Sequence, residues 1–249
     1  MDNPVDVVAA LRAAGSVWAE EEATLLATRF SGPRLAAAVA RRTSGTPVEQ
    51  VLGESSFAGI AVQLGERCFV PRARAAVLVD AAARLGPSDA TIVDLGAGCG
   101  AIAAAVSARR PGAEVHAVEI DERALGWARA NASAFGFSVH EGSWWAALPS
   151  SLRGRVDVAV AYLPHVPTAQ LDRIHPDFRR HEPTRAVDGG PDGLQPLRDV
   201  VAGMPHWLAP GGVFVTLVAA EQVDPALQIA AFAVDEADDD AVLVWTQAT

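Results

Sequence analysis

Residues 91–100 read Thr-Ile-Val-Asp-Leu-Gly-Ala-Gly-Cys-Gly, and this stretch constrains the fold more than any other part of the chain. It begins with a short apolar run, which is typical of a buried strand. Gly96, Gly98 and Gly100 follow in a loop. Because glycine has no Cβ, it allows the backbone to turn sharply and to approach a ligand closely. The stretch therefore predicts a strand followed by a loop that lies against a nucleotide-like ligand.

The segments after the glycines complete a βαβ unit. The pattern predicts an alanine-rich helix from Ala101 to Arg109 and a second apolar strand from Glu114 to Val118. The strand ends at Glu119, about twenty residues beyond the glycines, where such folds place an acid on the ribose hydroxyls. We therefore expect an α/β fold of the Rossmann type, with Glu119 as a ribose ligand.

The residue before the glycines helps to separate two classes of cofactor. Gly96, Gly98 and Ala101 also satisfy the dinucleotide pattern G-x-G-x-x-A, so the glycines alone leave a nicotinamide or flavin enzyme open. The carboxylate of Asp94 would repel a pyrophosphate, whereas it attracts the ammonium group of a methionine moiety. The sequence therefore favours S-adenosylmethionine over NAD as the cofactor. If Asp94 only caps the loop, the choice stays open.

Charge and composition limit the classes of partner. The chain of 249 residues has 30 acidic and 20 basic residues, a formal net charge of −10 that disfavours binding to nucleic acid. It has no apolar run of about eighteen residues and no basic start typical of a signal peptide, so we expect a cytoplasmic protein without a membrane partner. Two cysteines are too few for a disulfide framework or a zinc site, and we expect no metal.

The pattern divides the chain into three regions. Residues 1–45 show helical spacing of apolar residues and predict a small helical N-terminal domain. Residues 46–72 begin with a breaker at Thr46-Pro47 and contain a β-hairpin, with strands predicted at 57–64 and 67–70. Residues 73–249 hold the cofactor-binding domain, whose later strands are predicted at 156–162, 213–218 and 241–246. The stretch 163–194 has no long periodic segment and is expected to be a functional loop.

A set of short fragments occurs along the chain in a fixed order, and the fragments are common singly but specific in this order. They are Gly45-Thr46-Pro47-Val48-Glu49-Gln50-Val51-Leu52-Gly53, Phe57, Gly59, Val70-Pro71-Arg72, residues 94–102, Gly142-Ser143-Trp144, Glu182-Pro183, Asp188-Gly189-Gly190, Asp192-Gly193-Leu194, Arg198 and Leu208-Ala209-Pro210-Gly211-Gly212. With these fragments the chain resembles the HemK family of glutamine N5-methyltransferases, which methylate peptide-chain release factors. The resemblance runs from about residue 24 to about residue 222.

This resemblance implies a class I methyltransferase sheet of seven strands, with helices on both faces. It also implies that the three glycines of the loop lie under the methionine part of S-adenosylmethionine and that Glu119 binds the ribose. Trp144 would lie near the adenine, with Ser143 standing where the family commonly has an acid. A serine hydroxyl can also accept from the adenine amino group, although less strongly because it is neutral. Trp145 is expected in the core.

The chain departs from the family at the end of the fourth strand of its main sheet. There the family carries Asn-Pro-Pro-Tyr, and this chain has Tyr162-Leu163-Pro164-His165. In the family motif the asparagine oxygen and a backbone carbonyl accept both hydrogens of the acceptor amide, so that its lone pair is aimed at the methyl group. Tyr162 cannot copy that geometry. A second departure is Arg74, which stands where the family has an acidic segment.

Three functions remain open at this point. We expect a methyltransferase for another acceptor, such as a small molecule or peptide, that Tyr162, Pro164 and His165 orient or deprotonate. Arg72 and Arg74 are candidates for holding an acidic substrate. The first alternative is methylation of a release-factor glutamine by a rebuilt clamp. The second is a cofactor-binding or scaffold protein without turnover.

Overall fold

The computed structural model of the protein describes residues 4–237 and 240–248. The described residues form an N-terminal group of helices, a small hairpin and a large sheet with helices on both faces. The N-terminal helices are α1 (Pro4–Ala13), α2 (Ala19–Arg29), α3 (Gly32–Thr43) and α4 (Val48–Leu52), and the hairpin strands are β1 (Glu54–Phe57) and β2 (Ile60–Gln63). The remaining elements are α5 (Ala76–Arg84), β3 (Thr91–Leu95), α6 (Ala101–Arg109), β4 (Glu114–Glu119), α7 (Glu122–Phe135), β5 (Ser138–Glu141), β6 (Val156–Ala161), α8 (Pro176–His181), α9 (Gln195–Trp207), β7 (Leu208–Ala219), α10 (Val223–Leu227), β8 (Ala233–Ala237) and β9 (Asp240–Thr246). No helix among these is long and apolar enough to cross a bilayer.

The N-terminal helices have a hydrophobic cluster of their own. It includes Val7, Leu11 and Leu26, which are fully buried, and it continues as far as Val51 in α4. Periodic apolar residues on each helix form this cluster because they lie on one face. The helical N-terminal region is therefore present, and its packing extends beyond residue 45, where the sequence placed the boundary.

The hairpin lies earlier in the chain than the sequence predicts. β1 and β2 pair antiparallel with Phe57 opposite Ile60, which leaves a turn of Ala58 and Gly59. Both turn residues have positive φ, 48° and 89°, as a type I′ turn requires. The predicted strands at 57–64 and 67–70 are wrong because this turn falls inside the apolar run that predicted the first of them.

The main sheet confirms the predicted α/β fold. Over the described residues it has seven strands in the order β5-β4-β3-β6-β7-β9-β8, with β9 antiparallel to its neighbours and the others parallel. Neighbouring residues of β3 face opposite layers, so Ile92 packs with α5 and α6 while Val93 packs with α9. All of β3 is buried, as its continuous apolar run predicts.

The strand order reverses at β3, and this reversal positions the site. β3 lies between β4 and β6, and the chain runs from β3 outward through β4 to β5 before it crosses back to β6 on the other side of β3. In open α/β sheets the crevice at the carboxyl ends of the strands forms at such a point. The glycine loop after β3, the acid at the end of β4 and the Tyr162 segment after β6 therefore meet at one edge of the sheet.

The stretch 163–194 is folded back across this edge. It contains the short helix α8 and several 3-10 turns, and a bridge joins Val166 to Asp188. The Arg42 guanidinium, which is bonded to Glu22 of α2 at 2.9 Å, also reaches Asp177 of α8 at 3.1 Å. The expected loop is thus attached to the N-terminal helices.

Two glycines near this edge allow a matched test of packing. Gly100 has a φ of 80°, and a Cβ there would lie 2.8 Å from Cζ of Phe137. Gly126 lies in the exposed middle of α7, with open space where a Cβ would be. We expect Gly100→Ala to lower the free energy of unfolding by roughly 2–4 kcal/mol, through overpacking and left-handed strain. Gly126→Ala should raise it by about 0.5–1 kcal/mol because alanine favours the helix. Urea unfolding of both variants measures this, and an equal effect of the two would contradict the packing role of Gly100.

Candidate functional site

A cavity of about 270 Å³ lies at the carboxyl ends of β3, β4 and β6. The walls are the glycine loop, the ends of the strands, the segment after β2 and part of 163–194. The predicted site residues that line it are Arg72, Asp94, Gly96, Gly98, Glu119, Ser143, Trp144, Tyr162 and Pro164. Gly100, Arg74 and His165 are predicted site residues that do not line it. The cavity brings most of the sequence candidates together.

Asp94 supplies a buried carboxylate with one oxygen left over. Its side chain is 1% exposed, and Oδ2 accepts from the backbone N–H of Ala103 at 3.0 Å, which caps the start of α6. Oδ1 is buried and has no hydrogen-bond partner among the described residues. Burial raises the pKa of Asp94 to about 7, against the opposing effect of the Ala103 hydrogen bond. Asp94 therefore caps α6 with Oδ2, and Oδ1 is available to bind a cationic group.

Glu119 holds the glycine loop against the end of β4. Oε2 accepts from the N–H of Gly98 at 2.6 Å, and Oε1 accepts from Ile120 and Asp121 at 2.8 and 2.7 Å. Burial raises the pKa of Glu119, while these hydrogen bonds lower it. An ionised carboxylate has about four lone-pair positions, so one acceptor position remains for a hydroxyl of a ligand.

The floor and one wall of the cavity depend on Gly98 and Trp144. Gly98 has a φ of 58°, with open space where a Cβ would be, so its backbone is bare toward the cavity. The Trp144 indole covers Gly96, since a Cβ on Gly96 would lie 3.0 Å from Cζ3 of that ring. Trp145 instead belongs to the core, where its Nε1 donates to the carbonyl of Val200 at 2.8 Å. An aromatic wall beside bare backbone suits a flat adenine ring.

The segment after β6 presents Tyr162 and Pro164 to the cavity and turns His165 away. Nδ1 of His165 lies 2.9 Å from the carbonyl of Leu163 and carries the hydrogen, because a carbonyl only accepts. The backbone carbonyl of His165 accepts from Nε2 of Gln222 at 2.9 Å. Burial lowers the pKa of His165, so its ring is neutral at pH 7. In this arrangement His165 braces the segment, and its role in catalysis stays a prediction.

Both predicted substrate arginines are paired within the protein. Nη2 of Arg72 lies 2.6 Å from Oε2 of Glu182, and its guanidinium lies between the rings of Phe69 and Phe178, at 4.4 and 4.1 Å from their centroids. Arg74 pairs with Asp240 at 3.2 Å. The sequence analysis did not predict these partners. The Glu182-Pro183 fragment of the resemblance was the one signal that pointed to Glu182, and no pattern marked Asp240.

These groups fit S-adenosylmethionine. Asp94 has an unpaired carboxylate oxygen that suits an ammonium group, Glu119 has an acceptor position that suits a ribose hydroxyl, and Gly98 leaves room for close approach. Trp144 and Ser143, for which the resemblance implies a place near the adenine, both line the cavity. The fold and the site define a class I S-adenosylmethionine-dependent methyltransferase.

Comparison with known proteins agrees with this class. Residues 75–164 match the family model described as the Methyltransferase small domain. A release factor glutamine methyltransferase from Gloeobacter violaceus is 36% identical over 221 residues, which cover 83% of this chain and 76% of that protein. Another from Bradyrhizobium diazoefficiens is 31% identical over 222 residues, covering 86% and 75%. The chain belongs to the HemK-like family of release factor glutamine methyltransferases.

Solved structures support the fold alone, since their identity to this chain is low. A 16S rRNA N2 G1207 methyltransferase from T. thermophilus, in complex with AdoMet and guanosine, has a TM-score of 0.53 at 21% identity and covers 78% of this chain and 49% of its own. A ribosomal protein L11 methylase from Lactobacillus delbrueckii has a TM-score of 0.52 at 18% identity, covering 76% and 86%. The predicted family, fold, enzyme class and cofactor are thus confirmed, and the family favours an enzyme over a scaffold.

The buried charge of Asp94 gives a test that separates stability from binding. Its pKa rises from an ordinary 3.8 to about 7 on folding, so the folded protein holds a proton that the unfolded chain releases between these values. Wild-type stability therefore falls as the pH rises through this window, by at most roughly 1.4 kcal/mol per pH unit. Asp94→Asn has no carboxyl group at this position and does not lose stability in this way. The difference in free energy of unfolding between the variant and wild type should therefore grow from about pH 4, in favour of the variant, and level off above about pH 7.

The same variant should bind S-adenosylmethionine at least about tenfold more weakly, because the ammonium group loses its counter-charge. Chemical unfolding at several pH values and calorimetric titration at pH 8 measure the two effects. Asp157→Asn, which changes a carboxylate outside the cavity, is the control for binding. Unchanged affinity in Asp94→Asn would show that Oδ1 does not meet the cofactor.

Proposed function

We propose that this protein transfers the methyl group of S-adenosylmethionine to the side-chain amide of a glutamine in a peptide-chain release factor. The observation that carries the proposal is the 36% identity over 83% of the chain to a protein of that name. This gives the release factor more weight than the sequence analysis did, since that analysis placed a different acceptor first. Release factors act in translation, so this substrate would place the reaction in the cytoplasm.

The residues around the cavity can position an amide. S-adenosylmethionine, which Asp94, Glu119 and the glycine loop would hold, would supply an electrophilic sulfonium methyl group. The amide nitrogen that accepts this methyl group would release one hydrogen as a proton to solvent. Leu163 lies between the lining residues Tyr162 and Pro164, and its carbonyl, which already accepts from His165, has a second lone pair that could accept one amide hydrogen. The Tyr162 hydroxyl can hold the other end of the amide group. These contacts would orient the lone pair toward the methyl group, which is the principal need of a weak nucleophile.

A second candidate function is methylation of an acceptor that is not an amide. Tyr162 favours it, because a phenol replaces the amide oxygen that accepts an N–H in the family motif. An alcohol, phenol or amine has a more available lone pair and does not need two acceptors to aim it. Such an acceptor could be a small molecule, which would enter the same cavity beside Tyr162.

The two candidates differ in an assay with labelled cofactor. We expect the wild-type protein to label a release factor. Mass spectrometry of the release-factor peptides should then show a single added methyl group on one glutamine, the acceptor. A release factor with that glutamine replaced by alanine should stay unlabelled. If the wild-type enzyme binds the cofactor but labels no release factor, a screen of small acceptors tests the second candidate, and the first is rejected.

Tyr162→Asn tests whether this position selects the acceptor. If glutamine is the acceptor, restoring an amide oxygen should leave release-factor methylation intact or raise kcat several-fold, since the variant regains a good acceptor of N–H. If another acceptor is the natural one, Tyr162→Asn should lose activity on it. Tyr162→Leu, which provides no acceptor atom, is the matched control and should lower kcat in either case. Equal activity of all three proteins would remove Tyr162 from the reaction.

A further inference from the structure

The two departures from the family pattern, Tyr162 and Arg74, meet in space. The Arg74 guanidinium carbon lies 5.9 Å from the centroid of the Tyr162 ring, and Tyr162 lines the cavity. On its other side, Nη1 of Arg74 lies 3.2 and 3.3 Å from the two carboxylate oxygens of Asp240. The Asp240 side chain is 10% exposed and the Arg74 side chain is 50% exposed, so the carboxylate is the shielded member of the pair. A residue near the start of the cofactor-binding region and one on the last strand thus converge on Tyr162.

Packing restricts the Tyr162 ring from the remaining sides. Its centroid lies 6.1 Å from that of Phe69 and 5.5 Å from that of His165, with the rings tilted in both cases. The ring still lines the cavity, so its packing and its exposure to substrate occur together. A ring held in this way loses little further freedom when a substrate binds.

The chemistry of the two side chains fixes which atom donates. The Arg74 guanidinium approaches the Tyr162 ring and has only donors, so a hydrogen bond between the two side chains would have the phenol oxygen as its acceptor. The hydrogen of the Tyr162 hydroxyl is then directed away from Arg74. No described residue accepts it, and the cavity is the space that Tyr162 faces. A phenol that accepts from a cation also becomes a stronger donor.

We propose that Arg74, anchored by Asp240, is a positioning residue that holds Tyr162 so that its hydroxyl donates to an oxygen atom of the methyl acceptor. Tyr162 would touch the substrate, whereas Arg74 acts through it. This proposal deepens the proposed function, on which its kinetic part rests, because the oxygen would be the side-chain carbonyl of the glutamine amide. Tyr162 and Arg74, the two departures from the family pattern, then act together. They place a hydrogen-bond donor where the asparagine of the family motif places an acceptor.

The charges around Tyr162 agree with this arrangement. Burial raises the pKa of Tyr162, while the positive charges of Arg74 and Arg72 lower it. Asp240 acts in the raising direction, and burial lowers the pKa of His165, so that ring adds no charge at high pH. Arg74 is thus the principal group that opposes the effect of burial.

The first experiment uses the fact that Tyr162 is the only tyrosine in the chain. Alkaline titration followed by tyrosinate absorbance therefore reports this one side chain. Arg74→Gln should shift the titration midpoint to higher pH, because the cation that favours the phenolate is lost. Arg74→Lys keeps the charge and should stay near wild type, and Arg129→Gln, at a distant surface ion pair with Glu141, should not change it. An unchanged midpoint in Arg74→Gln would overturn the proposal.

The second experiment is kinetic and uses the complete chain with whichever acceptor it methylates. Tyr162→Phe and Arg74→Gln should each lower kcat on the order of tenfold to a hundredfold, with the affinity for S-adenosylmethionine within about twofold of wild type. Their double variant should lose no more than Tyr162→Phe alone, since both act through one hydroxyl. Additive losses would overturn the proposal.

Circular dichroism checks that each variant is folded. If Arg74→Gln does not fold, Arg74→Lys provides the test. A flexible ammonium group does not reproduce the guanidinium fork, so this variant should have a lower kcat. Its tyrosine titration midpoint should be unchanged, because the charge is kept. Wild-type kcat in that variant would count against the proposal. Failure of the proposed function looks different: no release factor is methylated, yet the tyrosine titration still shows the effect of Arg74.

Discussion

The attachment of the glycine loop to β4 through the Glu119 carboxylate is the interaction on which the rest of the site depends. One side chain accepts backbone hydrogens from Gly98 in the loop and from Ile120 and Asp121 beyond the strand. A glycine loop has little intrinsic preference for one conformation, so its shape must be imposed by such contacts. Glu119 imposes it from the neighbouring strand, and the cavity floor is preformed as a result.

The site contains a buried group that lowers the stability of the folded protein, and a bound ligand can offset this effect. Asp94 places a carboxylate in the dry interior with one oxygen unpaired, and the fold tolerates it because α6 supplies a single hydrogen bond. Buried groups of this kind concentrate where a protein must bind something charged. The neighbouring Glu119 adds to the effect, since its charge at the same edge of the sheet also disfavours the ionisation of Asp94. A cationic ligand would offset both burial and this repulsion.

Sequence reasoning succeeded where a continuous stretch builds the structure. β3, the glycine loop, α6 and β4 follow one another without interruption, so strand period and spacing placed Asp94 and Glu119 at the correct edge. It failed where the partner is distant, because Arg74 and Asp240 are 166 positions apart and Arg72 and Glu182 are 110 apart. β8 was not predicted because Ala-Val-Asp-Glu-Ala shows no clear alternation, and its strand forms because β9 offers an edge to pair with.

The ion pairs of Arg42 with Glu22 and Asp177 affect how cooperatively the protein unfolds. The Arg42 side chain is only 13% exposed, and it ties the N-terminal helices to α8, which belongs to the stretch 163–194 that lines part of the cavity. Breaking either ion pair would leave a mostly buried charge alone, which is costly in a nonpolar environment. The helical region and the stretch 163–194 are therefore expected to melt in one cooperative transition, although the helices have a hydrophobic cluster of their own.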